Sequence, residues 1–572
     1  MIPDLCIGPL VRAVSPTSIV IWAELTAAES VTLRAQSDTP GEAPQTVSQA
    51  TVLVGGHHYV ALHMQGLRPG TWYRYQLTGA DPNSELKMAT AEQPLQYFRT
   101  LPDTDIAEGN TPALRIAYGS CRKSETGQQD VFSAFGNWLR EQATSREASW
   151  PHLLLLIGDQ IYADQPSEKI RQTYSQLGSK ASGFEDFRLF YQHAWATDPG
   201  ARQALACIPT YMIFDDHEIT NNWNSLPTWR AEALAAGQEQ LLVDGTLAYW
   251  IYQGWGNLDQ ATSQHPLLKI MQKAALSGED AVEALRARIR QDLYGEALLP
   301  WHYEIHSQPA IFVANARTER SVLMPTDKKK VVYEPMRIIS QSQTTDLQNW
   351  SRNNHGTLSI IVSSVPVLLP PLIGQIEYLT GLRLWFKQHG ILGWLGDRLA
   401  RFQQKVAARA SFDHWPLYSL SWQDFILLFQ QQQHDMLILS GDVHFSYALT
   451  AESTRKTSQK RYLYQFVSTP LQNALNASDQ QKITAQARIS RLNYGGLKHE
   501  ILPMTPTARD IHIEHNLLFE NTIAMLTLHP DQQGQYTPQQ EYLGYMDGSL
   551  QKIATTVLPT TASSENGSKT KD

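Results

Sequence analysis

Cysteine is scarce in this chain: 572 residues carry only Cys6, Cys121 and Cys207. An odd number spaced so widely excludes a disulfide framework and is compatible with a reducing compartment. An excess of positive charge is missing as well, since 47 lysines and arginines face 55 aspartates and glutamates for a formal charge of -8. That balance offers no footprint for a nucleic-acid backbone and argues against such a partner, while leaving room for a small phosphate-ester substrate. Residues 1 to 6 hold no basic region followed by an apolar core, and no twin arginine. The expectation is therefore a cytoplasmic protein, or a periplasmic or extracellular one if a leader was removed. Finally, the charge-free stretch from Leu358 to Gln375 is interrupted by Pro366, Pro370 and Pro371. It reads as a strand plus loop and argues against stable membrane insertion.

What is present is enough apolar material, 42% of the residues, to bury a large core in more than one domain. Residues 1–101 hold short alternating segments such as Ser18 to Ala23, Val31 to Ala35 and His58 to His63, separated by turn formers. Their spacing predicts a fibronectin type III-like β-sandwich. Pro102 to Thr111 reads as a linker, and from Leu114 strand candidates alternate with helical patterns, the mark of an α/β layered domain. Helical insertions are expected near 226–300 and 375–412. The polar tail 559–572 lacks the apolar residues that would order it.

Chemistry collects where apolar runs stop. Leu153 to Ile157 leads into Gly158-Asp-Gln-Ile-Tyr-Ala-Asp164, Leu114 to Tyr118 into Gly119-Ser-Cys-Arg122, Tyr211 to Phe214 into Asp215-Asp-His-Glu218, and Met436 to Leu439 into Ser440-Gly-Asp-Val-His444. Strand ends of open α/β sheets are where ligands gather, so one site built from all four is the simplest reading. Asp159 carries two oxygens able to bridge two cations, and the Tyr162 phenolate suits a ferric ion. Three carboxylates between Asp215 and Glu218 repel one another without a cation or a basic partner. His217 titrates near neutrality and can donate a proton to a leaving group. Asp442 and His444, two apart, project to one side of an extended segment. Cys121 can supply a thiolate, Arg122 can hold a phosphate oxygen, and Asn222 offers a neutral oxygen. Taken singly, each has a bland alternative: a packed tyrosine, a turn asparagine, an inert core cysteine, a salt-bridged arginine.

In this order, the four motifs resemble the series of the PhoD-like alkaline phosphatases, across Gly119 to His444. The family is similar in fold to the calcineurin-like metallophosphoesterases, which implies two β-sheets flanked by helices over residues 112–558. The resemblance further implies Fe3+ and Ca2+ and hydrolysis of phosphomonoesters and phosphodiesters. Cys121, Asp159, Tyr162 and His444 would surround the iron, Asp159 and Asp216 would face the second cation, and Asp442 and Asn222 are further metal candidates. His217 and Arg122 would be the catalytic contacts. The chain departs from the family where its usual aspartate two residues before an arginine is Asn315, ahead of Arg317.

The resulting expectation is hydrolysis of phosphate esters by a metal-bound hydroxide, with His217 assisting departure of the alcohol. Two alternatives stand beside it. One is a phosphodiesterase or phospholipase D-like enzyme on the same metals; the other is a partner-binding protein whose metal site is structural or degenerate.

Overall fold

Leu153–Ile157 is five aliphatic residues, all buried, and it pairs in parallel with Leu114–Gly119 on one side and Thr210–Ile213 on the other. The carboxyl ends of these three strands therefore lie along one edge. In the computed structural model, residues 5–88, 92–103, 112–124, 126–224, 229–323, 334–354, 358–381, 413–455, 460–532, 534–556 and 558 are described. Most of the expected linker, residues 382–412 of the second expected insertion and the expected disordered tail lie outside them.

The three parallel strands belong to a seven-stranded sheet completed by antiparallel strands from the chain's last portion. A second sheet of eight strands has a parallel centre formed by Ile311–Ala314, Ser359–Ser363, Met436–Ser440 and Leu463–Val467. Side chains along these strands alternate between two cores: Ile311, Val313, Ile360, Val362, Leu437 and Leu439 enter one, Phe312, Ile361 and Ile438 the other. Period-two alternation with both faces apolar is what a sheet covered on both sides requires. The stretch from Leu358 gives the strand Ser359–Ser363, a loop, and then a helix, Pro371–Gly381. Proline at its first position suits a helix start, since the missing N–H would have no partner there.

Two glycines let the sheet edges meet. Gly158 has φ +90°, and a Cβ on it would lie 2.6 Å from the Cβ of Asp215. At Gly441 a Cβ would meet the Ser120 Oγ at 2.2 Å. The Asp215 loop thus lies against Gly158, and Gly441 of the second sheet lies against the end of the first.

The amino-terminal strands form two four-stranded sheets of sandwich-like arrangement, one holding Leu5–Val14, Ser18–Leu25 and His57–Gln65, the other Ser30–Ser37 and Trp72–Thr78. Ser30–Ser37 alternates between buried and more exposed positions, as a half-covered strand should. Ser18–Leu25 is buried throughout, because its outer face packs on the rest of the chain, with Trp22 5.5 Å from Tyr252 ring to ring. The core is continuous across that boundary. Tyr252 lies in the helical stretch that runs from Trp229–Ala235 to Val282–Leu293, where the first insertion is expected. Among the described residues, no helix is long and apolar enough to cross a membrane.

Candidate metal centre

Five of the residues singled out at strand ends share an uncommon backbone: Cys121 (φ 58°), Asp159 (54°), Asn222 (59°), Asp442 (68°) and His444 (60°) are all left-handed. Each such residue costs of order 1–3 kcal/mol and persists only where its surroundings over-determine it. The strain turns side chains off the strand axis toward one cavity of about 770 Å³, lined by Asp159, Asp216, His217, Asn222, Asp442 and His444 among others.

Asp159 lies at the centre. Its Oδ2 accepts from the Cys121 Sγ at 3.5 Å and the Tyr162 Oη at 3.4 Å, and its Oδ1 accepts from the His217 backbone N–H at 3.2 Å. Cys121, Asp159 and His444 bring ligand atoms within 4.8 Å of one another, as do Asp159, Asp215, Asp216 and Asp442. The Nδ1 of His444 lies 2.9 Å from the Asn473 carbonyl, which can only accept, so Nδ1 carries the proton and Nε2 keeps its lone pair. Asn473 also donates to the Tyr162 Oη at 3.0 Å. The Asn222 N–H donates to Asp216 Oδ2.

These groups hold each other away from ionisation. Burial first, and then the charges of Asp159 and Asp442, push the Cys121 thiol up. Burial followed by Cys121 and Asp159 does the same to Tyr162. The Asp159 carboxyl is raised by burial and by Asp216, Asp215 and Glu218, against an opposing pull from His217. A thiol, a phenol and a carboxylate crowded in this way fit a cation, which would favour all three anions at once.

His217 stacks on Tyr162 at 4.2 Å, and its Nδ1 lies 2.8 Å from Asp164 Oδ1. Burial alone would lower its pKa, but Asp216, Asp159 and Asp164 hold it up at about 10. Asp164, given no role from sequence, orients this imidazole, and it also accepts from the Asn221 N–H at 2.9 Å.

The other side of the cleft is ion-paired. Buried Arg317 donates to Asp215 and to Asp413 Oδ2, the latter at 2.6 Å, and Arg320 reaches the same Asp413 oxygen at 3.1 Å. Burial would raise the Asp413 carboxyl, yet the two arginines keep it low. Next to it, His414 bridges Glu377 Oε1 at 3.0 Å and Asp442 Oδ2 at 3.2 Å. Sequence reading missed Asp413, His414 and Glu377, since no apolar strand run precedes them. Asn315 accepts from the Arg317 and Thr318 N–H groups, so the turn that delivers Arg317 needs no carboxylate.

One expectation from sequence is corrected. Arg122 is not at the cleft: its side chain, 2% exposed, donates to Asp130 at 2.7 and 3.0 Å, to Asp198 at 3.1 Å and to the Ala194 carbonyl at 2.6 Å. Asp130 and Asp198 are the N-caps of the helices Val131–Glu141 and Pro199–Leu205, so Arg122 ties two helix starts together. The left-handed turn at Cys121 sends the next side chain the opposite way. Among the three clustered carboxylates, Asp215 has its basic partner in Arg317, while Glu218 accepts the N–H groups of Asp159, Gln160 and Asp215 at 2.7 to 3.0 Å.

Comparison with known proteins places the fold in a family. A family model described as PhoD-like phosphatase matches residues 116–499, and a domain of unknown function, DUF7800, matches residues 2–91. The chain is similar to Alkaline phosphatase D of Bacillus subtilis (strain 168), 27% identical over 176 residues. That match takes in 30% of this chain and 26% of the relative, about a quarter of its length. The solved structure of PhoD superposes with a TM-score of 0.56 at 14% identity over 96% of this chain and 92% of that one, a likeness of fold. With the family model extending from the strand of Tyr118 past His444, the chain belongs to the PhoD-like phosphatases.

Proposed function

We propose that this protein hydrolyses phosphate esters with the help of bound metal ions. The observation that carries the reading is that Asp159, Asp216, Asp442 and His444 line one cavity, with Cys121 and Tyr162 behind them against Asp159, and four of the six are held in left-handed backbone. Thiolate, phenolate, carboxylate and imidazole suit a ferric ion in the set Cys121, Asp159, Tyr162 and His444. Oxygen donors from Asp159, Asp216, Asn222 and Asp442 suit calcium. Such cations, when bound, activate water and neutralise charge developing at phosphorus.

The chain's own residues supply the rest. His217, held charged by Asp216, Asp159 and Asp164, can pass a proton to the ester oxygen as water's oxygen bonds to phosphorus and the ester phosphorus–oxygen bond breaks, so that a monoester yields an alcohol and phosphate. Stacking on Tyr162 fixes the imidazole plane. Arg317, already held by two carboxylates, presents a rigid cation at the cavity wall where a phosphoryl oxygen can settle.

A second reading has an observation of its own. Leu369, Ile373, Phe445, Leu475 and Ile483 line the same cavity as the charged groups. An apolar wall beside a polar floor favours esters with an apolar substituent, including diesters.

Metal analysis with assays of p-nitrophenyl phosphate and its bis ester, before and after chelation, tests both readings. Turnover should vanish with the metal and return on reconstitution, and the ratio of the two rates decides between monoester and diester. Full turnover in metal-free protein would overturn the mechanism. Tyr162→Phe should abolish a visible phenolate-to-iron band, and an unchanged band would remove Tyr162 from the iron.

A further inference from the structure

Glu218 is a buried carboxylate with every lone pair in use. Its Oε2 accepts from the N–H groups of Asp159 at 3.0 Å and Asp215 at 2.8 Å, and its Oε1 from Gln160 at 2.7 Å and the Gln253 side chain at 3.1 Å. Two strand-end loops, one carrying Asp159 and the other Asp216, are thereby pinned to one group. Asp159 can keep its left-handed backbone only if such bonds hold it there.

Gln253 sits in a π-helical turn, Trp250–Gly254, a rare arrangement found frequently at functional sites. The carbonyls of Tyr252 and Gln253 in that turn accept from Arg12 at 3.1 and 2.5 Å. Arg12 belongs to the amino-terminal strand Leu5–Val14 and is fully buried. It also donates to the Asn257 Oδ1 at 2.8 Å, and the Asn257 amide clasps Met212 N and O at 3.0 and 2.7 Å, in the strand that leads to Asp215 and Asp216. All of its acceptors are neutral, so burying this cation is poorly compensated as a folding device. Gly256 makes room for it, as a Cβ there would meet the Arg12 Nε at 2.6 Å.

We infer that the amino-terminal two-sheet region braces the floor of the active site, with Arg12, Gln253 and Glu218 acting in series as positioning residues. The inference rests on the phosphoesterase reading for what is positioned, and it gives the region matched by a domain of unknown function a task inside the enzyme.

The test uses the full chain, with p-nitrophenyl phosphate turnover, melting temperature and hydrogen exchange by mass spectrometry as readouts. Gln253→Met should lower kcat about 10-fold with KM within about twofold, since sub-ångström misplacement acts on the reacting geometry. Glu218→Gln should do more, and the double variant no more than Glu218→Gln alone. Exchange should quicken over residues 158–164 and 214–218 in Gln253→Met and in Arg12→Met, and stay unchanged in the helix Gln341–Asn353. If Arg12→Met does not fold, Gly256→Ala displaces the guanidinium without removing it and should give the same exchange pattern. A lowered melting temperature with kcat of the folded protein unchanged would overturn the inference, as would single effects that multiply in the double variant. Should the wild type hydrolyse no ester, the functional reading falls, while unchanged exchange over 158–164 in the Arg12 variants would sink the brace by itself.

Discussion

The two walls of the cleft treat buried acids in opposite ways. On the wall built from Cys121, Asp159, Tyr162 and His444, burial and mutual repulsion push the thiol, the carboxyl and the phenol up, and among the described residues no arginine or lysine bonds Asp159. On the other wall Asp413 is held low by Arg317 and Arg320, and Asp442 is held low by His414 despite its burial. The first wall has the His217 imidazolium to set against its acids; the second has two arginines and His414. A fold spends strain and desolvation on the first arrangement only where something bound returns them, which is why the wall without an arginine marks the core of the proposed metal centre, to which the other wall adds Asp442.

The sharpest way to break the comparison is at Arg317. Arg317→Met leaves Asp215 and Asp413 buried without their common partner and should destabilise the protein by about 3–5 kcal/mol, read as a fall in denaturant midpoint at constant slope. A loss below about 1 kcal/mol would mean that Arg320 and Ser364 suffice, and the second wall would no longer count as a paired one.

Asp159→Asn probes the first wall and should behave in the reverse manner. Turnover should fall about 10²–10³-fold and bound metal should be lost, while the metal-free protein gains stability because one of the repelling charges is gone. Metal-free protein that is instead destabilised would show Asp159 to be held by its hydrogen bonds more than it is opposed by its neighbours.

How far these walls could be read from sequence follows from what shaped them. Short, mostly apolar runs of four or five residues ending at Gly119, Gly158, Asp215 and Ser440 are local signals, so the parallel strands and the loops after them were legible, with Asp159, Asp216, His217, Asp442 and His444 lining one cavity. Backbone hand was not legible. Nothing about a cysteine announces φ 58°, and the direction of Arg122 depends on that turn. Asp413, His414 and Glu377 were hidden for another reason, since their pairing joins a helix and a loop to Asp442 and only tertiary packing brings them together. Glu218 was noticed as a charge but not as an acceptor, because its partners are backbone N–H groups that any sequence would supply.

The smallest effect concerns Glu24, a buried acid that combines features of both walls. It accepts from Arg188 at 3.1 Å and Tyr252 at 3.0 Å, yet burial outweighs both and raises its pKa from 4.5 to about 7. The folded state then keeps the Glu24 proton to a higher pH than the unfolded chain does. Its contribution to stability is therefore full below about pH 4.5 and is lost as the pH rises through about 7, by on the order of 3 kcal/mol in all. Melting temperatures of the wild type and Glu24→Gln from pH 5 to 8 isolate this contribution: the wild type should decline relative to the variant across that window. A constant difference between the two would mean that Arg188 fixes the Glu24 charge as firmly as Arg317 and Arg320 fix that of Asp413. One arginine would then be enough to keep a buried carboxylate ionised in this fold, and its absence around Asp159 would separate the two walls still further.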